Sequence, residues 1–562
     1  MVWFMPRLLS ILSISSDPIA QGILGFFIVF VLVAWLYGFF NIGVIVFALI
    51  NKYFLPPEPT LPAINKDAFE PPIALLYTTC NDFVEASVES CVRQDYKNYT
   101  VYLLDDSSSV EYKQKVDAFA SRHSNVRVIR RTDRKGFKAG NLNNALQQLD
   151  EPYFAIADAD EILPPDFLSK TVPYMEADSS IGFVQANHKC NPAADSPLAK
   201  AMGIGIDIHW RWYQPLRNRF GFVMFLGHGA VLRKECWTAM GGFPEIVSED
   251  LAFAIRAREL GWRGYFAKEV VCYEDFPEDI RSFRVRHMKW TRGTCEFLRY
   301  ESGRLLKSRT ITWQEKFDIL FPTLNLPLTL FYFLFMINTN LLFPWYFGIE
   351  KDVTIALAGS EWVLPIYVLD PGFNVLLTAD FFILTTLTLF APVLCFLLDM
   401  YRQPVRLAKF LTHSTAVYAT LGPLSSVGVL SYMLTGKATF LVTGDKSENV
   451  EKSSLPPFKD RFRTGVKEFF YRSHPDQKPV QLFEVACGIL FGIVCLKLMQ
   501  ISFLGLAFGF ALMPLLHRSS WLNPFIQTAV IVPFLLVLVG VSLSGLALMG
   551  IPTMFFSFGF HF

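Results

Sequence analysis

The sequence predicts an α/β domain set into an α-helical membrane bundle, with about six spans plus interfacial helices, and three observations lead there. Residues 19 to 50 and much of 318 to 550 are apolar stretches long enough to cross a bilayer of about 30 Å. Residues 66 to 310 hold most of the charge and alternate short apolar runs with amphipathic stretches. Inside that region, YFAIADADE at 153 to 161 joins a buried-strand run to three acids. The 562-residue chain is too long for one ordinary domain, and 52% hydrophobic residues with 15% aromatics exceeds the usual soluble composition.

Ile19 to Ile50 would form a helix of roughly 48 Å, which one tilted span explains more economically than two. The proline-rich stretch Asn51 to Asp67 reads as a linker. From Pro72 onward, Ile73 to Tyr77, Val101 to Leu104, Val126 to Ile129 and Tyr153 to Ala157 read as strands. Helical segments are expected near Val84 to Arg93, Val110 to His123 and Asn141 to Gln148. Strands alternating with helices imply a parallel sheet.

The net charge of +1 hides an asymmetry. Orientation follows Lys and Arg in short loops, and Lys452, Lys459, Arg461, Arg463, Lys467, Arg472 and Lys478 place the 450 to 480 segment in the cytosol. The 350 to 370 loop, with Glu350, Asp352, Glu361 and Asp370 against Lys351, then lies outside. Nine cysteines without a CxxC pair or a zinc-like His/Cys spacing predict neither a disulfide nor a structural metal. The first apolar run is too long for a signal-peptide core and reads as retained.

Polar residues follow three of the strands directly: Thr79, Asn81 and Asp82; Asp105 and Asp106; Asp158 and Asp160. All would gather at the carboxyl edge of the sheet, where open α/β sheets bind ligands. Asp158 and Asp160, two apart in a turn, can share one hard divalent cation whose remaining ligands are waters and phosphates. A lone DxD is more often a solvated turn; acids after successive strands are not required by structure. Ser248-Glu249-Asp250 opens a segment ending at Gly261, with Ser248 as N-cap and Gly261 as stop. Acids there complement the helix dipole, and one would stay ionised, as a general base must. Arg281 to Arg299 mixes Arg286, Lys289 and Arg292 with Trp290 and Phe297, which suits either a membrane-surface helix or a site for a diphosphate.

The order TTCND (78 to 82), LLDDSSS (103 to 109), FKAGNLNNAL (137 to 146), DAD (158 to 160), GHGAVLRK (227 to 234), SEDLAFAIRARELGW (248 to 262) and RHMKW (286 to 290) resembles the family 2 processive glycosyltransferases, which include cellulose, hyaluronan, chitin and β-glucan synthases. The resemblance implies a GT-A-type domain at 67 to 310, transferring a hexose from a UDP-sugar by one inverting displacement. Thr79, Asp82 and Asp106 would hold the uridine, with Asp105 beside them and Lys138 near the nucleotide. Asp158 and Asp160 would sit at the diphosphate and its Mg²⁺ or Mn²⁺. Asp250 would be the general base, with Glu249 next to it. Arg286-His287-Met288-Lys289-Trp290 departs from the family's Gln-x-x-Arg-Trp: Trp290 keeps an acceptor platform, while Lys289 keeps charge but not the bidentate fork. Phe440, Val442 and Thr443 resemble the FxVT gating loop, with Lys446 displaced by one position from the usual lysine.

A cytosolic loop at 440 makes Phe410 to Leu434, with Thr412, His413, Ser414 and Pro423, an interfacial helix rather than a span. The spans are then 19 to 50, about 321 to 348, 374 to 399, 481 to 499, 501 to 516 and 525 to 549. The expected layout is an N-terminal span and linker (1 to 66), the transferase domain, interfacial helices and spans (311 to 435), the gating loop and basic linker (436 to 480), and the last spans (481 to 562). The implied protein is a plasma-membrane synthase of a β-linked glycan, β-glucan foremost, whose partners are a UDP-sugar, the growing polysaccharide and the bilayer, without nucleic acid. Two other readings are a transferase charging a polyprenyl phosphate and a transporter with a noncatalytic transferase domain. The second sits poorly with five retained acids, because buried unpaired acids are costly without a ligand.

Overall fold

The computed structural model describes residues 2–56, 70–357, 360–376, 378–436, 438, 469–470, 473–497 and 501–548. The gating-loop positions Phe440, Val442, Thr443 and Lys446 lie outside the described residues.

Eight strands form one sheet: β1 (Ile73–Thr79), β2 (Tyr99–Asp105), β3 (Val126–Ile129), β4 (Tyr153–Asp158), β5 (Glu161–Ile162), β6 (Ile181–Cys190), β7 (Ala230–Arg233) and β8 (Arg263–Glu274), in the order β3-β2-β1-β4-β7-β6-β8-β5. The first four strands are the predicted ones, extended by a residue or two. They pair in parallel because each apolar run is followed by a crossover, and their faces are buried on both sides. The fully parallel sheet is corrected beyond β4: β7 runs antiparallel to both β4 and β6, and β5 antiparallel to β8. Only β6 and β8 resume parallel pairing, with register shifts at Ile181/Phe183 and Ala186/Asn187.

Register sets the site. Thr79 of β1 faces Asp105 of β2, and Thr78 faces Asp158 of β4, so three strand ends finish level. Two cores hold this sheet: Leu76, Leu104, Phe154 and Phe253 on one face, and Tyr77, Leu103, Ala155 and Phe167 on the other.

Pro18–Tyr53 is one continuous helix, started by Asp17, whose carboxylate accepts from Ala20 N, and by a proline in the first turn. Among the described residues, three helices are long and apolar enough to cross a membrane: Pro18–Tyr53, Leu328–Phe347 and Lys478–Lys497. Ala379–Thr388 and Phe390–Met400, bent by 63°, make a fourth if taken together. Ile501–Leu515 and Pro524–Leu548 are further apolar helices, as is Met5–Ile14.

Three local expectations are corrected. The 350 to 370 loop is an antiparallel hairpin, Gly348–Leu357 with Ser360–Leu369. The single helix expected over 410 to 434 is two, Pro404–Ala419 and Gly422–Thr435, because Pro423 fits only a first turn and the chain breaks before it. The stretch 321 to 348 is likewise broken, with Trp313–Leu324 and Leu328–Ile337 separated near Pro327.

The Ile280–Lys307 helix joins the sheet domain to these apolar helices. Asp279 caps it, accepting from Ser282 N at 2.7 Å. Arg284 forms a fully buried ion pair with Glu484, and Arg281 reaches Asp476 at 2.6 Å. His287 Nε2 lies 2.6 Å from Ser425 Oγ.

Candidate active site

The loops after β1 and β2 are tied together by Asn81, which adopts φ 62°. Its side-chain oxygen accepts from Ser108 N and Ser109 N at 3.0 and 2.9 Å. Asp82 turns back to accept from Thr79 Oγ1 (2.9 Å) and Cys80 N (2.6 Å). Burial, and then Asp160 and Asp158 nearby, pushes the Asp82 carboxyl up, although those two bonds oppose the shift.

The acids at the strand ends have basic partners that sequence reading missed. Asp105 accepts from Arg130 Nε at 2.7 Å, and Asp106 from Arg131 Nε and Nη2 at 2.9 and 2.6 Å. Both arginines directly follow β3, so a basic pair after an adjacent strand was the available signal. Asp158 Oδ1 meets Lys138 Nζ at 2.5 Å and Thr78 Oγ1 at 2.6 Å. The expectation of unpaired acids is therefore corrected for Asp105, Asp106 and Asp158.

Lys138 is the hub. Its ammonium also donates to the Gly227 carbonyl at 3.0 Å. Gly227 has φ +85°, and a methyl placed on it would lie 3.6 Å from both Asp250 Oδ2 and Lys138 Nζ. Glycine there permits the backbone to pass between base candidate and cation. Burial alone would raise Asp158, but Lys138 and His228 outweigh it and hold the carboxyl down to about 2.

Glu249 and Asp250 open the Glu249–Glu259 helix, with Gly261 past its end at φ +94°. Ser248 occupies the N-cap position but makes no side-chain capping bond; Asp250 Oδ1 instead accepts from Leu251 N at 2.7 Å. The expected permanently ionised acid is also corrected. Burial, then the neighbouring Asp250, pushes Glu249 up to about 7, and burial pushes Asp250 up as well. Burial pulls Lys289 down, against the opposing pull of Glu249 and Asp158. Glu296 fixes this helix start to the Ile280–Lys307 helix by accepting from Val247 N at 2.8 Å.

Arg286 lies against two aromatic rings. Its guanidinium lies 4.5 Å over Trp290 and 5.2 Å over Phe276, so it stacks on one face of the predicted acceptor platform. Asp160 is exposed in the turn after β4, two residues beyond Asp158. Lys138 and Thr78 both engage Oδ1 of Asp158, and an all-oxygen pair of carboxylates at an open edge fits a hard divalent cation.

Behind that turn lies a second group, absent from the sequence reading: Glu161, His188, His228, Cys272 and Glu274. Burial alone would lower His228, but Glu161, Asp158 and Glu274 push it up to about 10.

Residues 71–293 match the model of the family described as "Glycosyltransferase like family 2". This matched segment contains all eight strands of the mixed sheet. A "Probable glucomannan 4-beta-mannosyltransferase 3" of Oryza sativa subsp. japonica is 28% identical over 232 residues, which is 39% of this chain and 42% of the rice protein. The chain thus matches less than half the length of that relative. Among solved structures, the mannosyltransferase PcManGT from Pyrobaculum calidifontis, in complex with GDP-Man and Mn²⁺, is 19% identical, covering 66% of this chain and 99% of its own, with a TM-score of 0.40. S. aureus TarS 1-349 in complex with UDP-GlcNAc is 16% identical, covering 64% and 91%, with a TM-score of 0.33.

Proposed function

We propose that this protein is an inverting, metal-dependent glycosyltransferase that moves a hexose from a nucleotide sugar to a growing β-linked glycan and extrudes the product through its own helical bundle. The meeting of Asp158, Lys138, Glu249 and Asp250 at the level strand ends supports the reading best. Thr79, Asp82, Asp105 and Asp106 line the nucleoside end, held by Arg130 and Arg131. Asp158 and Asp160 would hold a Mg²⁺ or Mn²⁺, which when bound neutralises charge on the departing diphosphate. Lys138 adds a fixed cation at the same place, and Lys289 approaches from the Ile280–Lys307 helix. Asp250, with Glu249 sharing its proton load, takes the proton from the acceptor hydroxyl. Trp290 supports the acceptor sugar on the face opposite Arg286.

UDP-glucose and a β-glucan are the first donor and product on this reading. The rice relative, a β-mannosyltransferase by name, adds mannose donors. Full-length protein in detergent, incubated with UDP- and GDP-hexoses in turn and Mn²⁺, should give an alkali-resistant polymer from one donor, identified by linkage analysis. Transfer only to an added polyprenyl phosphate, or no transfer from any donor, would overturn the proposal.

A further inference from the structure

Behind the DxD turn, two carboxylates face each other across two imidazole rings. Glu161 Oε1 lies 3.3 Å from His228 Nδ1 and 3.8 Å from His188 Nε2. Glu274 Oε2 lies 3.5 Å from His228 Nε2 and 4.0 Å from His188 Nδ1. The rings meet edge to face, with centroids 4.6 Å apart. At the Glu161 end the group is closed by Cys272: its sulfur, Glu161 Oε1 and a His188 ring nitrogen lie within 4.8 Å of one another, and all three residues are buried.

The two atoms that point into this end face each other as an ion pair without a well-directed hydrogen bond. Glu161 Oε1 and His228 Nδ1 stand 3.3 Å apart but off the hydrogen-bonding direction, and each is buried without a hydrogen-bond partner among the described residues. Glu161 is 0% exposed, so its second oxygen, satisfied by Gly229 N at 3.1 Å, does not relieve the first. Gly229, at φ +56°, admits no side chain here: a methyl would meet His188 Nε2 at 2.3 Å and Glu161 Oε1 at 2.4 Å. Gln185 Nε2 is 3.1 Å from His188 Nε2 but also bonds the His228 and Gly229 carbonyls at 2.9 and 3.1 Å, which satisfy its two protons without the ring.

We infer that Glu161, His188 and Cys272 form a structural zinc site, distinct from the cation site at Asp158 and Asp160, and that metal binding draws in His228 Nδ1, now 3.3 Å from Glu161 Oε1, as the fourth donor. The donor chemistry decides the metal: a thiolate and two imidazoles favour Zn²⁺ over the oxygen-seeking Mg²⁺ and Mn²⁺. One carboxylate and one thiolate leave a buried Zn²⁺ site with no net charge, which removes the cost of an isolated buried ion. Binding releases the thiol proton of Cys272 and the proton on His228 Nδ1. Glu274 then stands behind both rings, where a carboxylate fixes the tautomer of a metal-bound histidine. The site would pin β5 and the DxD turn to β6, to β8 and to the loop before β7.

The test is metal content. Full-length protein in detergent, passed over a sizing column in EDTA, should retain about one zinc per chain by mass spectrometry. Asp160→Ala should keep it, while Cys272→Ser and His188→Gln should lose most of it. Cobalt-loaded wild-type protein should show thiolate-to-cobalt charge-transfer absorption, a readout that needs no variant to fold. No saturable zinc uptake by the wild type, zinc unchanged in Cys272→Ser, or a cobalt spectrum without the thiolate band would each overturn the site.

Discussion

The two halves of the sheet handle buried charge differently. In the parallel half, Asp105 and Asp106 sit at strand ends and are neutralised at once by Arg130 and Arg131 from the next strand. In the mixed half, Glu161, Glu249, Asp250 and Glu274 are packed with imidazoles, lysines and one another, and burial pushes all four carboxyls up. A paired acid at a rim serves best to position a ligand. An acid whose ionised form is disfavoured is ready to accept a proton, and that division of labour is what the predictions probe.

The largest effect should come from the mixed half. Asp250→Asn should lower sugar incorporation by about 10²- to 10⁴-fold, because it removes proton abstraction. Calorimetric binding of the nucleoside diphosphate should stay near wild type; substantial synthesis by the variant would remove Asp250 from the chemistry. Asp160→Ala, at the boundary between the halves, should instead weaken Mn²⁺-dependent nucleotide binding by at least about 10- to 100-fold, the range lost when even an outer-shell partner of a metal is removed. A metal titration that matches wild type would refute it.

Acidity gives the next test. With Glu249 at about 7, its carboxylate is present above that pH and protonated below it, so the rate should fall as pH drops through about 7. Glu249→Gln should lose this limb, and a wild-type profile flat from about pH 6 to 8 would contradict the assignment. Trp290→Ala should shorten the product up to about tenfold, the equivalent of about 1.5 kcal/mol of lost stacking. Chain length on a sizing gel, with free sugar release beside it, reads this out; full-length polymer would make Trp290 a mere anchor. Smallest is Arg130→Met, which leaves Asp105 buried and half-satisfied at a cost of about 1–3 kcal/mol. Thermal unfolding by intrinsic fluorescence should show it, and an unchanged midpoint would mean that the rim pairing is ornamental.

Legibility in the sequence divides along the same line. The strands β1, β2 and β4 announce themselves as apolar runs with acids following them, since they lie inside the sheet, whereas the edge strand β3 is followed by Arg130 and Arg131. The strands β6 and β8 do not, because Gln185 and His188 are buried inside one, and Lys268 and Glu269 interrupt the other beside a register shift. Antiparallel β7 is only four residues long. The acids Asp82, Asp105, Asp106, Asp158 and Asp250 were visible as motif positions, but their partners were not: Thr78, Arg130 and Arg131 pair across strands. Least visible was the group around Glu161, whose members Glu161, His188 and Cys272 come from three strands and meet only when the sheet is assembled. Spacing rules for metal ligands read neighbours along the chain and are blind to such a set.

The Ile280–Lys307 helix carries Arg284 toward Glu484, His287 toward Ser425 and Trp290 beneath Arg286, on one unbroken rod. Each residue of an α-helix turns the next by about 100° and advances it by about 1.5 Å. Inserting a single residue between Arg284 and Trp290 would therefore swing the indole by about 100° while Arg284 stayed locked to Glu484. The part works as a gauge block: its length is a machining tolerance, set between the sheet domain and the apolar helices, and no side-chain substitution can restore it once the count is wrong.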